Sequence, residues 1–504
     1  MTSSPAGLYT PQKLLRDLKS KSESYWIKRG EERALILFHR MAKRVPAYKD
    51  FLKKNNINPK NIVSIVDFKK LPTVDKDNYL RKYPLEQLCW DGELKGKRWV
   101  FSTTSGSTGE PFYFPRQSEQ DWQYALTAEL YLRNNFQIQD KSTLYINCFA
   151  MGAWIGGVFT YEAIKLLAER GDYALSVISP GIFKKEIINA VKNLGQRFDQ
   201  IIIGGYPPLI KDTIDDGIKA GLDWKKYQLG FIFSAESFTE KFRDSIIEKT
   251  GLKNAYIYTL NHYGTVDLGT MAHETPFSIF IRRLSEENIK IKSVLFPEIH
   301  KQPTVAQYHP EHFFFEEKNN TLLCSAFSGI PLVRYDLKDY GGILSYDKTN
   351  EALFRLGIKV EKEEKKRGIT DLIWHLPLVY VYERLDFTVK LYGANIYPDT
   401  VRRAIQGDIF GNSLTGKFTM ASKFNSKQDQ YLEVNIELKS QVNETKKLKD
   451  ALQKEIVTYL LHENSEYKSN YKEAQKQQLP KIVLWRYEDP THFSPGGKQK
   501  WVKK

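Results

Sequence analysis

The sequence predicts an α/β protein in two unequal parts. A large N-terminal region of mainly parallel sheets covered by helices is expected over residues 1–383, and a small α+β domain over residues 384–504. Strand-like runs at Ala174–Ile178, Gln200–Ile203 and Leu229–Phe233 alternate with helical ones around Lys184–Leu194, Pro208–Ala220 and Thr239–Thr250. That is the rhythm of parallel strands joined by helical crossovers. Beyond about residue 384 it gives way to a shorter pattern of strand, helix, strand, strand, helix, with Asp399–Gln406 and Glu444–His462 helical and Tyr431–Glu437 alternating. A chain of 504 residues is also too long for one ordinary domain.

Composition narrows the function classes. No apolar run approaches a membrane span, and Met1–Gly7 has neither the basic nor the apolar segment of a secretory signal, so a cytoplasmic location is expected. Cys89, Cys148 and Cys324 are far apart with no Cys-x-x-Cys pair, which argues for reduced, buried thiols rather than a disulfide framework or a zinc site. The net charge of +15 would suit a polyanion, yet the lysines are interleaved with acids along amphipathic helices, and only Lys498–Lys504 forms a short basic tail. Solvated helix faces account for most of it, and nucleic-acid binding is not read from the charge.

Taken in order, residues from about 10 to 85 form a basic helical lead-in with breaks at Pro46 and Pro59. In Phe101–Phe112, eight of twelve residues are Ser, Thr or Gly, set between the aromatic runs Arg98–Phe101 and Phe112–Phe114 as a turn joining two strands. Gly106 and Gly109 let backbone N–H groups crowd onto anionic oxygens, and Thr103, Thr104, Ser105, Ser107 and Thr108 offer hydroxyls. The stretch is thus a candidate phosphate grip, with a plain polar hairpin as the competing reading; it lacks the lysine and following helix of a P-loop. A helix over about Glu119–Asn134 leads to a strand at Thr143–Asn147 and then to Phe149–Val158. There, Gly152, Gly156 and Gly157 would admit either a flat ligand or a tightly packed crossover.

Ser234–Glu236 and His262–Asp267 fall at the carboxyl ends of strands, where ligands bind in such sheets. Between about residues 284 and 322 the rhythm is lost, and a small irregular β region is expected around His309–Phe315. Two motifs are set aside. His273-Glu274 lacks a second histidine four residues on, where Phe277 stands, and Gly411–Lys417 spells most of a Walker A motif but is followed by Phe418 instead of Ser or Thr.

Ser105–Pro111, reading Ser-Gly-Ser-Thr-Gly-Glu-Pro, resembles the nucleotide loop of adenylate-forming enzymes, the acyl- and aryl-CoA synthetase superfamily. Val45–Tyr48, Asp67–Asp77 and Tyr83–Pro84 resemble the lead-in of its phenylacetate–CoA ligase branch, and further motifs follow in order from Leu35 to the terminus. The resemblance implies the adenylate-forming enzyme fold and assigns roles. Ser105, Gly106, Ser107, Thr108 and Gly109 would hold nucleotide phosphates. Ser234, Ala235 and Glu236 would face the adenine, with Tyr263 on its other side and Gly264 and Thr265 beside it. Asp339, closing Pro331–Asp339, would accept from the ribose hydroxyls, although Lys338 stands where the family has glycine. Arg384 would act near ribose and phosphate, with Glu383 again displacing a glycine. Asp267 replaces the glutamate that holds magnesium but keeps a hard oxygen ligand, while Val266 replaces a hydroxyl residue. Phe149, Met151, Trp154 and Gly157 would line the pocket for the carboxylic acid. Asp386 would be a hinge ahead of Gly393–Pro398, and Lys498, with Lys500 as its competitor, would be the catalytic lysine of a mobile C-terminal domain.

The implied reaction is ATP-dependent activation of a carboxylic acid, apolar or aromatic, to acyl-AMP with release of pyrophosphate, then transfer to a thiol, foremost that of CoA. The implied cofactors are ATP and Mg²⁺, with CoA as co-substrate. Expected partners are these small molecules, without nucleic acid or membrane and with a homodimer left open. Two rivals stand beside this reading: transfer to an amine, hydroxyl or protein thiol, and a degenerate nucleotide-binding protein, which Val266, Lys338 and Glu383 favour.

Overall fold

Short runs of β-branched and aromatic residues build the centre of the molecule. In the computed structural model, which describes residues 10–103, 112–235, 237–299, 301–384, 389–391, 394–424, 430–464, 467–468, 471–472 and 475–493, a hairpin of β1 (Val100–Thr103) and β2 (Tyr113–Arg116) precedes the main sheet. Five strands then run parallel: β3 (Thr143–Cys148), β4 (Leu175–Ile178), β5 (Gln200–Gly205), β6 (Leu229–Ser234) and β7 (Thr259–Thr265). Side chains alternate between faces, so Ile201, Ile203, Phe231 and Phe233 pack on helices Lys184–Leu194, Pro207–Lys219 and Glu240–Thr250, while Ile202 and Ile232 pack on helices Ser118–Phe136 and Ile155–Gly171.

Beyond β7 the sheet turns antiparallel. It continues through β8 (Gly269–His273), β9 (Thr304–Gln307), β10 (Phe313–Lys318), β11 (Thr321–Ala326), β12 (Leu332–Leu344) and β13 (Leu378–Arg384), giving eleven strands in the order β10-β11-β12-β13-β9-β8-β7-β6-β5-β3-β4. The expected irregular β region is corrected here. After helices Pro276–Glu287 and Ile289–Leu295, β9, β10 and β11 are regular members of this mixed sheet. The helical rhythm stops because β10 and β11 join through a tight turn with Asn319 and Asn320 both left-handed, at φ 54° and 60°, as a two-residue hairpin requires. The lead-in helices cover this half, with Phe38, Tyr48 and Phe68 in one core with Phe314, Leu332 and Tyr335.

After Arg384 the described strands build sheets of their own. β14 (Val389–Leu391) pairs with β15 (Ala394–Ile396), and β16 (Leu414–Phe424), β17 (Gln430–Leu438) and β18 (Lys481–Trp485) form a three-stranded sheet whose core also takes Leu452, Ile456 and Leu460 of helix Lys446–Glu463. This unit rests against one acidic face of helix Pro207–Lys219. Asp212 meets Lys417 at 3.2 Å, and Asp215 meets Lys439 at 3.4 Å. Lys184 joins Asp216 at 3.1 Å and Glu488 at 2.9 Å. Cys89, Cys148 and Cys324 are all buried and free, and among the described residues no helix is long and apolar enough to cross a membrane.

Candidate active site

The chain runs from β3 out to β4 and returns to β5 on the other side of β3, so the crevice beyond the carboxyl ends of β3 and β5 is the switch point where open α/β sheets take ligands. Asn147, one residue from the end of β3, is fully buried there. Its amide donates to Gly157 O at 2.9 Å and lies 3.3 Å from Ser179 Oγ, pinning the turn 149–157 back onto the strand. Phe149 is buried edge-on to Tyr206, 5.4 Å away, whereas Met151 and Trp154 are 39% and 43% exposed. Gly157 is required where it stands: a Cβ would come 2.4 Å from Ala150 O. The sequence reading found the glycines and missed Asn147, whose signal was one amide in an otherwise apolar strand.

The loop carrying Ser105, Gly106, Ser107, Thr108 and Gly109 lies outside the described residues, but its stem is fixed. Thr103 N donates to Ala153 O at 3.0 Å, which joins the hairpin to the turn that carries Met151 and Trp154. At the base, the buried guanidinium of Arg116 donates to Asp121 at 2.6 Å and to Ser102 Oγ at 3.2 Å. Gly329 lets the hairpin approach, since a Cβ there would lie 2.1 Å from Pro115 O.

On the other side of the crevice, Tyr263 Oη donates to Asp339 Oδ2 at 2.6 Å, and Asp339 pairs across the sheet with Arg384. Asp339 and Arg384, expected at the ribose, and Tyr263, expected on the adenine, are thereby neighbours although distant in sequence; the Arg384 side chain itself is outside the description. Lys338, in the family's glycine position, has φ 58° and so keeps the left-handed turn that glycine would favour. Its ammonium bridges Asp75 and Asp336, each at 2.9 Å. Burial alone would lower its pKa, but those carboxylates outweigh it and hold the pKa above the usual lysine value.

Ser234 ends β6 next to His262, and Ala235 is left-handed at φ 73°, a strained position for a residue with a Cβ. Glu236 lies outside the described residues, as do Asp386 and Lys498. The loop is held from behind by an ion network unseen in the sequence. Arg282 donates to Phe238 O and to Glu240, and Arg283 Nε lies 2.8 Å from Glu240. Arg243 grips Glu274 at 2.8 and 2.9 Å, and Glu274 accepts from Asn261 N at 2.9 Å. Burial would raise the Glu240 carboxyl, but three guanidinium groups hold it down to about 2. Gly264 faces Gly269 O, 2.4 Å from a would-be Cβ, and Thr265 Oγ1 accepts from Leu268 N at 3.3 Å, so the turn before Asp267 is tight.

Asp267 is buried. Tyr335 Oη donates to its Oδ2 at 2.5 Å, Lys76 stands 3.4 Å from Oδ1, and Oδ1 has no hydrogen-bond donor. Oδ1, ion-paired with Lys76 but accepting no hydrogen bond, is the Asp267 oxygen that a Mg²⁺ held mainly by substrate phosphates would take in place of the ammonium; among the described residues no group of three or more His, Cys, Asp or Glu could hold a metal alone.

No family model matches the sequence. A phenylacetate-coenzyme A ligase of Thermus thermophilus is 22% identical over 233 residues, which are 46% of this chain and 49% of that protein, so the match spans about half of that relative's length. Among solved structures, 2-hydroxyisobutyryl-CoA ligase in the postadenylation state, in complex with 2-HIB-AMP, superposes with a TM-score of 0.65 at 13% identity, over 97% of this chain and 91% of that one. The chain has the adenylate-forming enzyme fold. For the same ligase in an open conformation and in the thioesterification state, both with 2-HIB-AMP and CoA, the TM-scores are 0.54 and 0.53 at the same 13% identity and 97% coverage of this chain. An equal alignment with a lower score is what a rigid movement of one part against another produces. Within this fold, Tyr263 and the 149–157 turn lie by the carboxyl ends of β7 and β3, and Asp339 lies within β12 opposite Arg384 at the end of β13.

Proposed function

We propose that this chain activates a carboxylic acid with ATP and passes the acyl group to the thiol of CoA. The observation that carries the reading is the Tyr263–Asp339 hydrogen bond of 2.6 Å, with Arg384 paired opposite, in a chain of adenylate-forming fold. A carboxylate so held can accept from both ribose hydroxyls, and the tyrosine fixes which of its oxygens faces them. The backbone of Ser234–Glu236 borders the adenine, and Ser105–Gly109 supplies N–H and hydroxyl donors to the phosphates. Asp267 offers Oδ1 to Mg²⁺, which when bound neutralises phosphate charge.

The acid lies along Phe149, Met151, Trp154 and Gly157, in a turn that Thr103 ties to the phosphate hairpin. This coupling sets the carboxylate oxygen against the α-phosphorus. The new C–O–P linkage forms as the bond to pyrophosphate breaks, and Lys498 and Arg384 stabilise the charge that grows on the phosphoryl oxygens. A thiol then displaces AMP and loses its proton to solvent. Residues 384–504 act as a mobile cap hinged at Asp386. Support for a cap comes from the strands after Arg384, none of which among those described joins the main sheet, and from the better superposition on the postadenylation state.

The test is pyrophosphate release across aryl, fatty and amino acids, followed by hydroxamate trapping without acceptor and a CoA-consumption assay. Release without CoA consumption moves the acceptor to an amine, hydroxyl or protein thiol. No release with any acid leaves a nucleotide-binding protein.

A further inference from the structure

We infer, on the reading of Ser105–Gly109 as the phosphate grip, that Arg116 is the positioning residue of that grip. It ties both strands of the hairpin that carries the loop to the helix following the acid turn, and so sets where nucleotide phosphates are held. Arg116 stands beyond Pro111, at the end of β2 and outside the Ser-, Thr- and Gly-rich stretch itself.

The Arg116 side chain is buried, and its guanidinium joins three neighbouring elements to β2. Nε donates at 2.6 Å to Asp121 Oδ1, in the first turn of helix Ser118–Phe136. Nη1 donates at 3.2 Å to Ser102 Oγ on β1, beside Thr103, whose N–H holds Ala153 O. The flat face lies over the ring of Phe159, 4.7 Å from its centroid, in helix Ile155–Gly171. Phe159 stacks in turn on Tyr124 of helix Ser118–Phe136, 4.5 Å away, and Arg116 itself pairs with Val100 across the hairpin. A planar group with donors on its edges and an apolar-tolerant face makes all of these contacts at once; an ammonium has neither the fork nor the face.

Stability alone does not call for this arrangement. Burial pushes the Asp121 carboxyl above its usual range, and the charge and hydrogen bond of Arg116 offset only part of that. Nη2 is buried with no acceptor among the described residues. A desolvated ion pair with a donor left over is commonly no more stabilising than apolar side chains of similar volume. What the pair supplies is direction: its hydrogen bonds fix the distance and angle between hairpin and helices, where an apolar contact would let the hairpin slide. The acid turn does not depend on it, because Asn147 pins that turn to β3 through Gly157 O. Arg116 therefore governs the phosphate side of the crevice, while the acid side is fixed separately.

Titration calorimetry of the full chain with ATP and with AMP, each with magnesium, tests this. ATP presents three phosphates to the loop and AMP one, so a misplaced loop should cost ATP more, whereas a loosened fold should cost both alike. The double variant Arg116→Met/Asp121→Leu exchanges the pair for apolar side chains. It is expected to melt near the wild-type temperature, to bind ATP about 10-fold more weakly and to bind AMP less than about 3-fold more weakly. Arg116→Lys and Ser102→Ala both lose the tie to β1 and should share a defect of roughly 3-fold toward ATP, with AMP unchanged; they carry the test should the double variant fail to fold. Unchanged ATP affinity in the folded variants, or equal losses for ATP and AMP, overturns the positioning role. Pyrophosphate release by wild type is read separately. ATP binding that responds to Arg116 without release from any acid sinks adenylation and keeps the positioning role, release with ATP affinity indifferent to Arg116 does the reverse, and no ATP binding to wild type overturns both.

Discussion

Tyr263 and Lys338 show how single side chains set up the nucleotide side of the crevice. The Tyr263 hydroxyl donates to Asp339, so Tyr263→Phe removes that charge-assisted donor. Such a bond is worth about 1.5–3 kcal/mol, and the KM for ATP is expected to rise roughly 10- to 100-fold with a smaller change in kcat. Steady-state kinetics at saturating acid reads it, and an unchanged KM would remove Asp339 from the ribose. At Lys338 two effects oppose. The left-handed backbone costs a side-chain residue about 1–2 kcal/mol, while a half-exposed ammonium between two carboxylates returns roughly 0–1 kcal/mol per pair. Lys338→Gly is therefore expected within about 1 kcal/mol of wild type in chemical denaturation, and Lys338→Ala, which keeps the strain and loses both pairs, should be the less stable of the two.

At the scale of elements, the turn 149–157 and the strand pair β7–β8 carry distinct consequences. Gly157→Ala would drive a methyl group against the backbone oxygen of Ala150, which cannot rotate away, so the turn itself must shift. Melting temperature should fall, and the KM for the acid should rise more than that for ATP. Parallel changes in both constants would detach this turn from acid binding. β7 and β8 bring His262 opposite His273, both buried, and His309 stacks on His312 before β10. Burial holds these imidazoles neutral, with His273 pushed down to about 4 and His312 to about 3. A folded pKa below the unfolded value near 6.5 means that the unfolded chain takes up protons first as pH falls, so stability is full above about 6.5 and is lost progressively toward 4 and then 3. Unfolding free energies should be flat from pH 7.5 to about 6.5 and then fall toward pH 4.5, by roughly 2–3 kcal/mol for each ring that stays buried and neutral. A flat profile would contradict the burial of these rings.

For the whole molecule, the question is what holds the C-terminal unit where it sits. Lys417 is half-buried between Asp212 of helix Pro207–Lys219 and Glu437 of its own sheet, and Lys184 reaches Glu488, so the contact is largely ionic and its geometry reversible. On the proposed mechanism this unit delivers Lys498 for the first half-reaction and withdraws it for the second. Lys498→Ala is accordingly expected to slow acyl-AMP formation about 10²–10³-fold while thiol transfer from supplied acyl-AMP stays nearly unchanged, and Lys500→Ala should do little. Single-turnover kinetics of each half-reaction decides it. Equal damage to both steps, or a larger defect at Lys500, would sink the assignment.

Local chemistry was legible in the sequence by itself: the β-α rhythm of residues 174–250, the close backbone approach at Gly152, Gly156 and Gly157, and the order of motifs resembling the adenylate-forming enzymes. Each depends on residues close together in the chain, where spacing and steric demand leave a pattern. What only the tertiary structure decided depends on partners far apart. β10 and β11 join as a hairpin through a two-residue turn with no helix to mark a rhythm, and β9 pairs with β8 and β13 across stretches of chain that only folding brings together. Lys338 is tolerated because Asp75, more than 250 residues earlier, is folded against it. Glu274 reads as half of a metal motif and is an ion partner of Arg243. Lys417 ends the Walker A look-alike that Phe418 rules out, and its ammonium lies between Asp212 and Glu437. A charge in a sequence carries no record of its counter-ion; burial and distance assign it, and both exist only after the chain has folded.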